Sequence, residues 1–308
     1  MPAMNGMLLA AGRGERMEPI STVIAKPTVD VLGQPLLASA VAHLRRTGCE
    51  TVVVNLHRHP ESVAAAARAC GGELAFSWEP QLLGSAGGLA AARPLLGRGA
   101  VLVANADVWC ELNLAPLLAA ENEETLTMGL LPHPDPARWS SVILDDEGRV
   151  RALLPPGGSH DGEPFLFTGF QLVGGRILAS LPPPPARMSA VWETLRTREA
   201  LRGVLVSGSW HEAGTPETYL QLILDLLGDR CWVHPQAMVA AGTRIERTAI
   251  GVGCAVEKGA SVSESVLMRA ATVAAGCELR RCIVVGPVTV EGALSEVQIL
   301  PQGHFPLR

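Results

Sequence analysis

Met7-Leu-Leu-Ala-Ala-Gly12-Arg-Gly14-Glu-Arg16-Met, followed shortly by Ala25-Lys26-Pro27, reads as a buried strand, a glycine-rich turn and two trailing cations. A short apolar run closed by glycine has the signature of a strand buried on both faces. Gly12 and Gly14 let the backbone turn sharply and offer N–H groups to an anion. Arg16 and Lys26 add positive charge. Lysine is otherwise nearly absent: of the 25 Lys and Arg residues, 23 are arginine, and the second lysine is Lys258. The loop is not a Walker A loop, because no Gly-Lys-Ser/Thr follows. It also fails the dinucleotide fingerprint, whose third glycine would stand where Met17 is. Two glycines alone fit an ordinary strand–turn–helix; the cations add the case for phosphate.

Around this stretch, short apolar runs alternate with helical patterns. Leu36–Thr47 is predicted helical and closed by Gly48. Glu50–Leu56 is rich in β-branched residues and reads as a strand. Pro60–Cys70 is predicted helical, Leu74–Trp78 a strand, Ser85–Ala92 a helix stopped by Pro94, Ala100–Ala104 a strand, and Pro116–Glu121 part of a helix. Alternation of this kind predicts an α/β fold with a mostly parallel sheet, helices on both faces, and ligands at the carboxyl ends of the strands. Thr215-Pro216-Glu217 opens one more helix, ending at Gly228.

Beyond Gly228 the texture changes. Val239, Val256, Val273 and Val290 recur every seventeen residues, as do Ile245, Val262 and Leu279, then Ile250, Leu267 and Val284, and Gly242, Gly259 and Gly276. Several registers in step predict a triangular coil with one inward side chain per face and about four stacked turns. The chain therefore divides into residues 1–228 and 229–308. A solenoid end must be capped or buried, so the coils are expected to join copies into a homo-oligomer.

Composition narrows the class. A net charge of −5 gives no basic field for nucleic acid. No apolar run reaches the ~18 residues of a membrane span, and Met1-Pro-Ala-Met-Asn-Gly6 lacks a basic region before an apolar leader. The chain reads as cytoplasmic. Its seven cysteines lack metal-type spacing and read as scattered reduced thiols.

Three further stretches carry chemistry. In Val101-Leu-Val-Ala-Asn105-Ala-Asp107, a carboxylate ends an apolar strand, where it holds a nucleotide-bound cation or caps a following helix. In Trp210-His211-Glu212-Ala213-Gly214-Thr215, an acid precedes a capped helix. In Trp78-Glu79-Pro80-Gln81-Leu82-Leu83-Gly84-Ser85-Ala86-Gly87-Gly88, glycines let a base or sugar approach the backbone.

In this order, the four stretches resemble the sugar-1-phosphate nucleotidylyltransferases, the mannose-1-phosphate guanylyltransferases and their bacterial relatives in particular. Gly33-Gln34-Pro35-Leu36, Val54-Asn55-Leu56-His57 and Phe167-Thr168-Gly169-Phe170 extend the resemblance, and the repeats resemble the left-handed β-helix of many members. The resemblance implies a Rossmann-like nucleotide-diphospho-sugar transferase domain with a mostly parallel mixed sheet, followed by that β-helix. It implies an enzyme joining a nucleoside triphosphate to a sugar 1-phosphate, with release of pyrophosphate and with Mg²⁺ as cofactor. The expected nucleotide is GTP and the expected sugar mannose; a uridylyltransferase on N-acetylmuramate or glucose 1-phosphate, or a non-catalytic NDP-sugar sensor, is the alternative. A β-helix acyltransferase is disfavoured, because such enzymes need a catalytic histidine on a long stack.

Residue by residue, the resemblance places the backbone of Leu9, Ala10, Ala11, Gly12 and Gly14 along the nucleotide and Gly84 near the base. Arg16 would hold the β- and γ-phosphates and Lys26 the α-phosphate. Asp107 and Glu212 would hold the metal. Asn55, Thr168 and Gly169 would meet the sugar. Three departures stand out. Ala106 replaces the usual glycine before the metal aspartate, and Glu212 replaces an aspartate. The Glu-Lys-Pro element that grips the sugar phosphate is missing from Val150-Arg-Ala-Leu-Leu-Pro-Pro156, so that either Arg151 or Arg187 substitutes or the contact is absent.

Overall fold

The computed structural model describes residues 4–307. The first three residues of the N-terminal stretch considered above lie outside them. By contacts, the chain forms two compact units. One holds the chain up to Gly12 and Leu37–Trp210; the other holds Arg13–Leu36 and the chain from His211. This division follows contacts and is discontinuous along the chain, whereas the boundary drawn after residue 228 follows sequence texture.

The first unit is built on a nine-stranded sheet. Its elements are β1 (Met4–Leu9), α1 (Ala38–Arg46), β2 (Cys49–Leu56), α2 (Pro60–Ala69), β3 (Glu73–Trp78), α3 (Ser85–Leu96), β4 (Val101–Asn105), β5 (Val108–Asn113), β6 (Leu126–Pro132), β7 (Ser141–Leu144), β8 (Val150–Leu154), β9 (Pro164–Val173), α4 (Met188–Thr197) and β10 (Leu201–Leu205). The sheet order is β8-β7-β9-β4-β1-β2-β3, and β6 joins β9 to β10. Strands β4, β1, β2 and β3 are parallel neighbours. Strand β9 runs antiparallel to β4, β6 and β7, so the sheet is mixed around a parallel core.

The parallel strands are apolar because helices cover them. Met7, Leu8, Val53, Val54 and Val101–Ala104 are inaccessible to solvent. Each such valine, leucine or methionine side chain contributes roughly 1.5–3 kcal/mol on burial. One core cluster joins Met7, Val53 and Val103 of the sheet to Leu89 of α3 and Leu195 of α4. On α1, Ala40, Val41 and Leu44 form the buried stripe, and His43 is buried with them. His43 Nδ1 contacts the Ser39 carbonyl at 2.8 Å, and Nε2 accepts the Leu112 N–H at 3.0 Å. Burial holds this imidazole below its ordinary pKa.

Helix α3 does not stop at Pro94, as the sequence suggests, but runs to Leu96. A proline inside a helix orphans the carbonyl four residues back. Here Arg93 Nε donates to that carbonyl, Ala90 O, at 3.0 Å, and the helix survives until Gly97 at φ 80°.

In the second unit, α5 (Pro216–Leu227) starts on a reciprocal cap: Thr218 N–H donates to Thr215 Oγ1 at 3.2 Å, and Thr215 N–H donates to Thr218 Oγ1 at 2.8 Å. The repeats then wind into a parallel β-helix with three stacked faces. Val239, Val256, Val273 and Val290 stack in register, as the period of seventeen requires. On the other faces Leu279 stacks on Leu294 and Val284 on Ile299, so the last turn is two residues shorter. Val297–Leu300 and Gly303–Pro306 then form an antiparallel hairpin that covers the final edge of one face. Cys254, Cys277 and Cys282 lie in this core as buried thiols. Among the described residues no helix is long and apolar enough to cross a membrane.

Candidate active site

In the sheet unit, the expected nucleotide-facing backbone begins where β1 ends. Ala10 N–H donates to Asn55 Oδ1 at 2.7 Å. Asn55 Nδ2 donates to Glu79 Oε1 at 2.7 Å, and Leu83 N–H donates to Glu79 Oε2 at 3.0 Å. Asn55 is 3% exposed and Glu79 is 0% exposed. A buried carboxylate is tolerable only when its oxygens are bonded, and these two are. The network joins the ends of β1, β2 and β3 to the loop leading to Gly84. The glycines there admit protein as well: a side chain on Gly84 would collide with the Ala186 carbonyl, and one on Gly88 would meet Glu79 Oε1 at 2.5 Å. Gly84 also needs its freedom at φ 76°. Gly12 differs, since nothing lies within 4 Å of where its side chain would be.

Asp107 lies in a two-residue turn between β4 and β5, at the carboxyl end of the central parallel strands. A strand follows it, so it does not cap a helix. Gly169, at φ 87°, brings β9 close to Asn105. Thr168 is buried: its Oγ1 donates to the Gly129 carbonyl at 2.8 Å, and its own carbonyl accepts from Trp210 Nε1 at 2.9 Å. The side chains of Asn55 and Thr168, expected at the sugar, are therefore engaged with protein partners. Trp210 stacks edge-on against Trp139, a packing role. Arg151 and Arg187 are both exposed; Arg187 adjoins the Ala186 segment that closes on Gly84.

In the second unit, Gly14 sits at φ 69° with Ser21 and Lys26 Cβ atoms 3.1 and 3.2 Å from where its own would be. Ser21 Oγ donates to the Gly14 carbonyl at 2.8 Å, folding the loop back on the short helix Ile20–Val23. Lys26 opens a 3-10 turn stiffened by Pro27. Arg16 Nη2 pairs with Glu212 Oε1 at 3.0 Å; the arginine side chain is 66% exposed and the glutamate 16%. Gly214 gives this carboxylate room, since any side chain there would lie 2.9 Å from Oε1. Arg16 and Glu212, expected to hold phosphate and metal respectively, thus pair with each other. His211 makes a separate 3.5 Å contact with Asp225.

Comparisons with known proteins fit this geometry. A Nucleotidyl transferase model matches residues 5–154, and a GlmU-like C-terminal hexapeptide model matches residues 231–295. The N-acetylmuramate alpha-1-phosphate uridylyltransferase of Caulobacter vibrioides is 30% identical over 229 residues, covering 70% of this chain and 93% of that relative. The chain belongs to the sugar-1-phosphate nucleotidyltransferase family. The family member of the same name from Neisseria meningitidis serogroup B is 41% identical over 114 residues, covering 36% of this chain and 49% of the relative, about half its length. The mannose-1-phosphate guanylyltransferase of Mycobacterium tuberculosis is 25% identical over 307 residues, covering 90% of this chain and 83% of the relative.

Two features of this nucleotidyltransferase escaped the sequence. Glu79 carried no signal, because a glutamate before proline in a polar loop looks solvated. The pairing of Arg16 with Glu212 spans 196 positions and has no local trace. Chemically, the first unit offers a rigid, hydrogen-bonded backbone with a carboxylate at a strand end. The second offers two cations and a carboxylate, with Arg16 and Glu212 paired.

Proposed function

We propose that this chain transfers the nucleotidyl group of GTP to mannose 1-phosphate, giving GDP-mannose and pyrophosphate. A phosphate oxygen of the sugar would attack the α-phosphorus, and the bond to the β-phosphate bridging oxygen would break. The Arg16–Glu212 pair, on the same loop system as Lys26, carries this reading. Arg16 would hold the β- and γ-phosphates, and Lys26 would neutralise charge growing between the α-phosphate and the leaving group. The open space at Gly12 supports backbone approach to the nucleotide. Ala10 is held for the same task through Asn55. Thr168, Gly169 and Asn55 would shape the sugar side by fixing backbone.

The donor chemistry fits Mg²⁺. Asp107 and Glu212 offer hard carboxylate oxygens, and one or two carboxylates with phosphate oxygens and water is the usual magnesium set in nucleotide enzymes. Among the described residues no three His, Cys, Asp or Glu side chains form a ready cage, as that partly substrate-built set requires none. When bound, the ion would lower repulsion between nucleophile and triphosphate. Glu212 would leave Arg16 to reach it.

Similarity to a guanylyltransferase across 90% of this chain supports GTP and mannose. The higher identity to the uridylyltransferases favours a second reading, UTP with N-acetylmuramate 1-phosphate. Pyrophosphate release with each triphosphate and sugar 1-phosphate separates them: fastest turnover should come with GTP and mannose 1-phosphate. Fastest turnover with UTP and N-acetylmuramate 1-phosphate would establish the second reading. No turnover with any pair, despite tight NDP-sugar binding, would identify a sensor and sink the enzyme reading.

A cytoplasmic location fits the seven free thiols. Self-association through the β-helix is supported by Val233, Met238 and Val239 on its first turn and Val252 on its second, all large apolar side chains that are exposed. Light scattering of the intact chain should give a multiple of the 32.4 kDa protomer, and M238E should lower it. A monomer at micromolar concentration would refute this.

A further inference from the structure

The segment bearing Arg16 and Lys26 belongs to the same compact unit as the β-helix, and one coil corner reaches into it. Arg269 Nη1 donates to the Val23 carbonyl at 2.9 Å. Val23 ends the short helix Ile20–Val23, three residues before Lys26. Terminal carbonyls of a helix lack intrahelical donors, and a guanidinium meets both the open acceptor and the negative end of the dipole. The same helix carries Ser21, which holds the Gly14 carbonyl, and Gly14 lies close enough to the base of Lys26 that a side chain on it would stand 3.2 Å from Lys26 Cβ.

Single left-handed residues recur at another corner of the coils, at Arg247, Glu264, Arg281 and Glu296, whereas this corner holds two in succession. Arg269 and Ala270 both stand in the left-handed region, at φ 58° and 57°. One turn earlier the corner reads Val252-Gly253, with glycine at φ 68°; one turn later it contains Gly286. Any side chain on Gly286 would collide with the Arg269 carbonyl and the Ala271 nitrogen. Left-handed backbone is disfavoured for residues other than glycine, and it persists only where surrounding structure enforces it.

We propose that Arg269 is a positioning residue for nucleotidyl transfer, clamping the Val23 carbonyl so that the Gly14–Lys26 loop is fixed from the β-helix. It touches neither substrate nor metal. Gln302 Nε2, which lies 3.4 Å from Thr22 Oγ1, adds a weaker second point from the terminal hairpin. The reaction this serves is the one proposed above, but the clamp is a separate claim and is tested separately.

The test compares the wild-type chain, R269A and R269K. Amide exchange of residues 20–29 reads the clamp, and kcat with saturating substrates reads its consequence. In R269A, exchange there should accelerate while thermal unfolding stays near wild type. Its kcat should fall roughly tenfold, the size expected for losing one charged hydrogen bond that orients a reacting group. Nucleotide KM should change by less than about twofold, because the transition state is the more sensitive to placement. R269K, able to donate a single bond, should recover part of the rate. Unchanged exchange in R269A overturns the clamp whatever the rate does, and faster exchange with an unchanged kcat overturns its role in positioning. A wild-type chain without turnover sinks the transferase reading instead, and exchange alone then decides whether Arg269 holds the loop.

Discussion

The two sets of candidate site residues are built on opposite principles. In the sheet unit, Ala10, Asn55, Glu79 and Leu83 form a closed run of buried hydrogen bonds, with Glu79 wholly screened from water. In the second unit, Arg16 is mostly exposed and meets Glu212 through one ion pair. The buried set cannot change partners without leaving a polar group unpaired in a dry site. The second set can where an incoming cation takes the guanidinium's place at Glu212, because water compensates the exposed Arg16 but not the mostly screened carboxylate. Rigid backbone suits recognition of a shape, whereas exchangeable ions suit a charged substrate that enters with a cation.

Mutations can break this comparison. The largest expected effect is at Asp107, where replacement by alanine should lower Mg²⁺-dependent turnover by about a thousandfold or more. Retained rates would remove it from the metal site. Next, Lys26→Ala should lower kcat by roughly a hundredfold with little change in thermal unfolding, since only a contact strengthened in the transition state does this. A loss of KM alone would instead make Lys26 a uniform binder. Glu79→Ala should act the other way round. It strands Asn55 Nδ2 and the Leu83 N–H, so urea unfolding should show a loss of roughly 3 kcal/mol. Unchanged stability would show that the buried set is no scaffold.

The smallest effect concerns the buried imidazole of His43. Burial lowers its pKa in the folded state, so between that value and the ordinary 6.5 the unfolded chain binds more protons. Its contribution is therefore present above about pH 6.5 and lost as pH falls below it. Wild-type unfolding midpoints should decline over that range more steeply than those of His43→Gln, and parallel curves would contradict the assignment.

How much of this was legible follows from range. The seventeen-residue period exposed the coil because each side chain stacks on its counterpart one turn away, as Val239 does on Val256. The shortened last turn was not visible, because no later repeat exists to show the new register. Asp107 could be placed at a strand end from its apolar run alone, yet the strand after it, which rules out a helix cap, could not. Pro94 reads as a helix stop until Arg93 supplies the missing donor.

The sequence by itself determined the strand–loop–cation order from Met7 to Lys26, the carboxylates at Asp107 and Glu212, and the repeat. These are fixed by local spacing and by side-chain chemistry. Only the tertiary structure decided that Arg16 rests on Glu212, that Glu79 is buried under Asn55, and that Arg269 holds Val23. Hydrogen bonds between residues so far apart in the chain leave no periodic trace, because their partners are chosen by the folded surfaces rather than by neighbours in sequence.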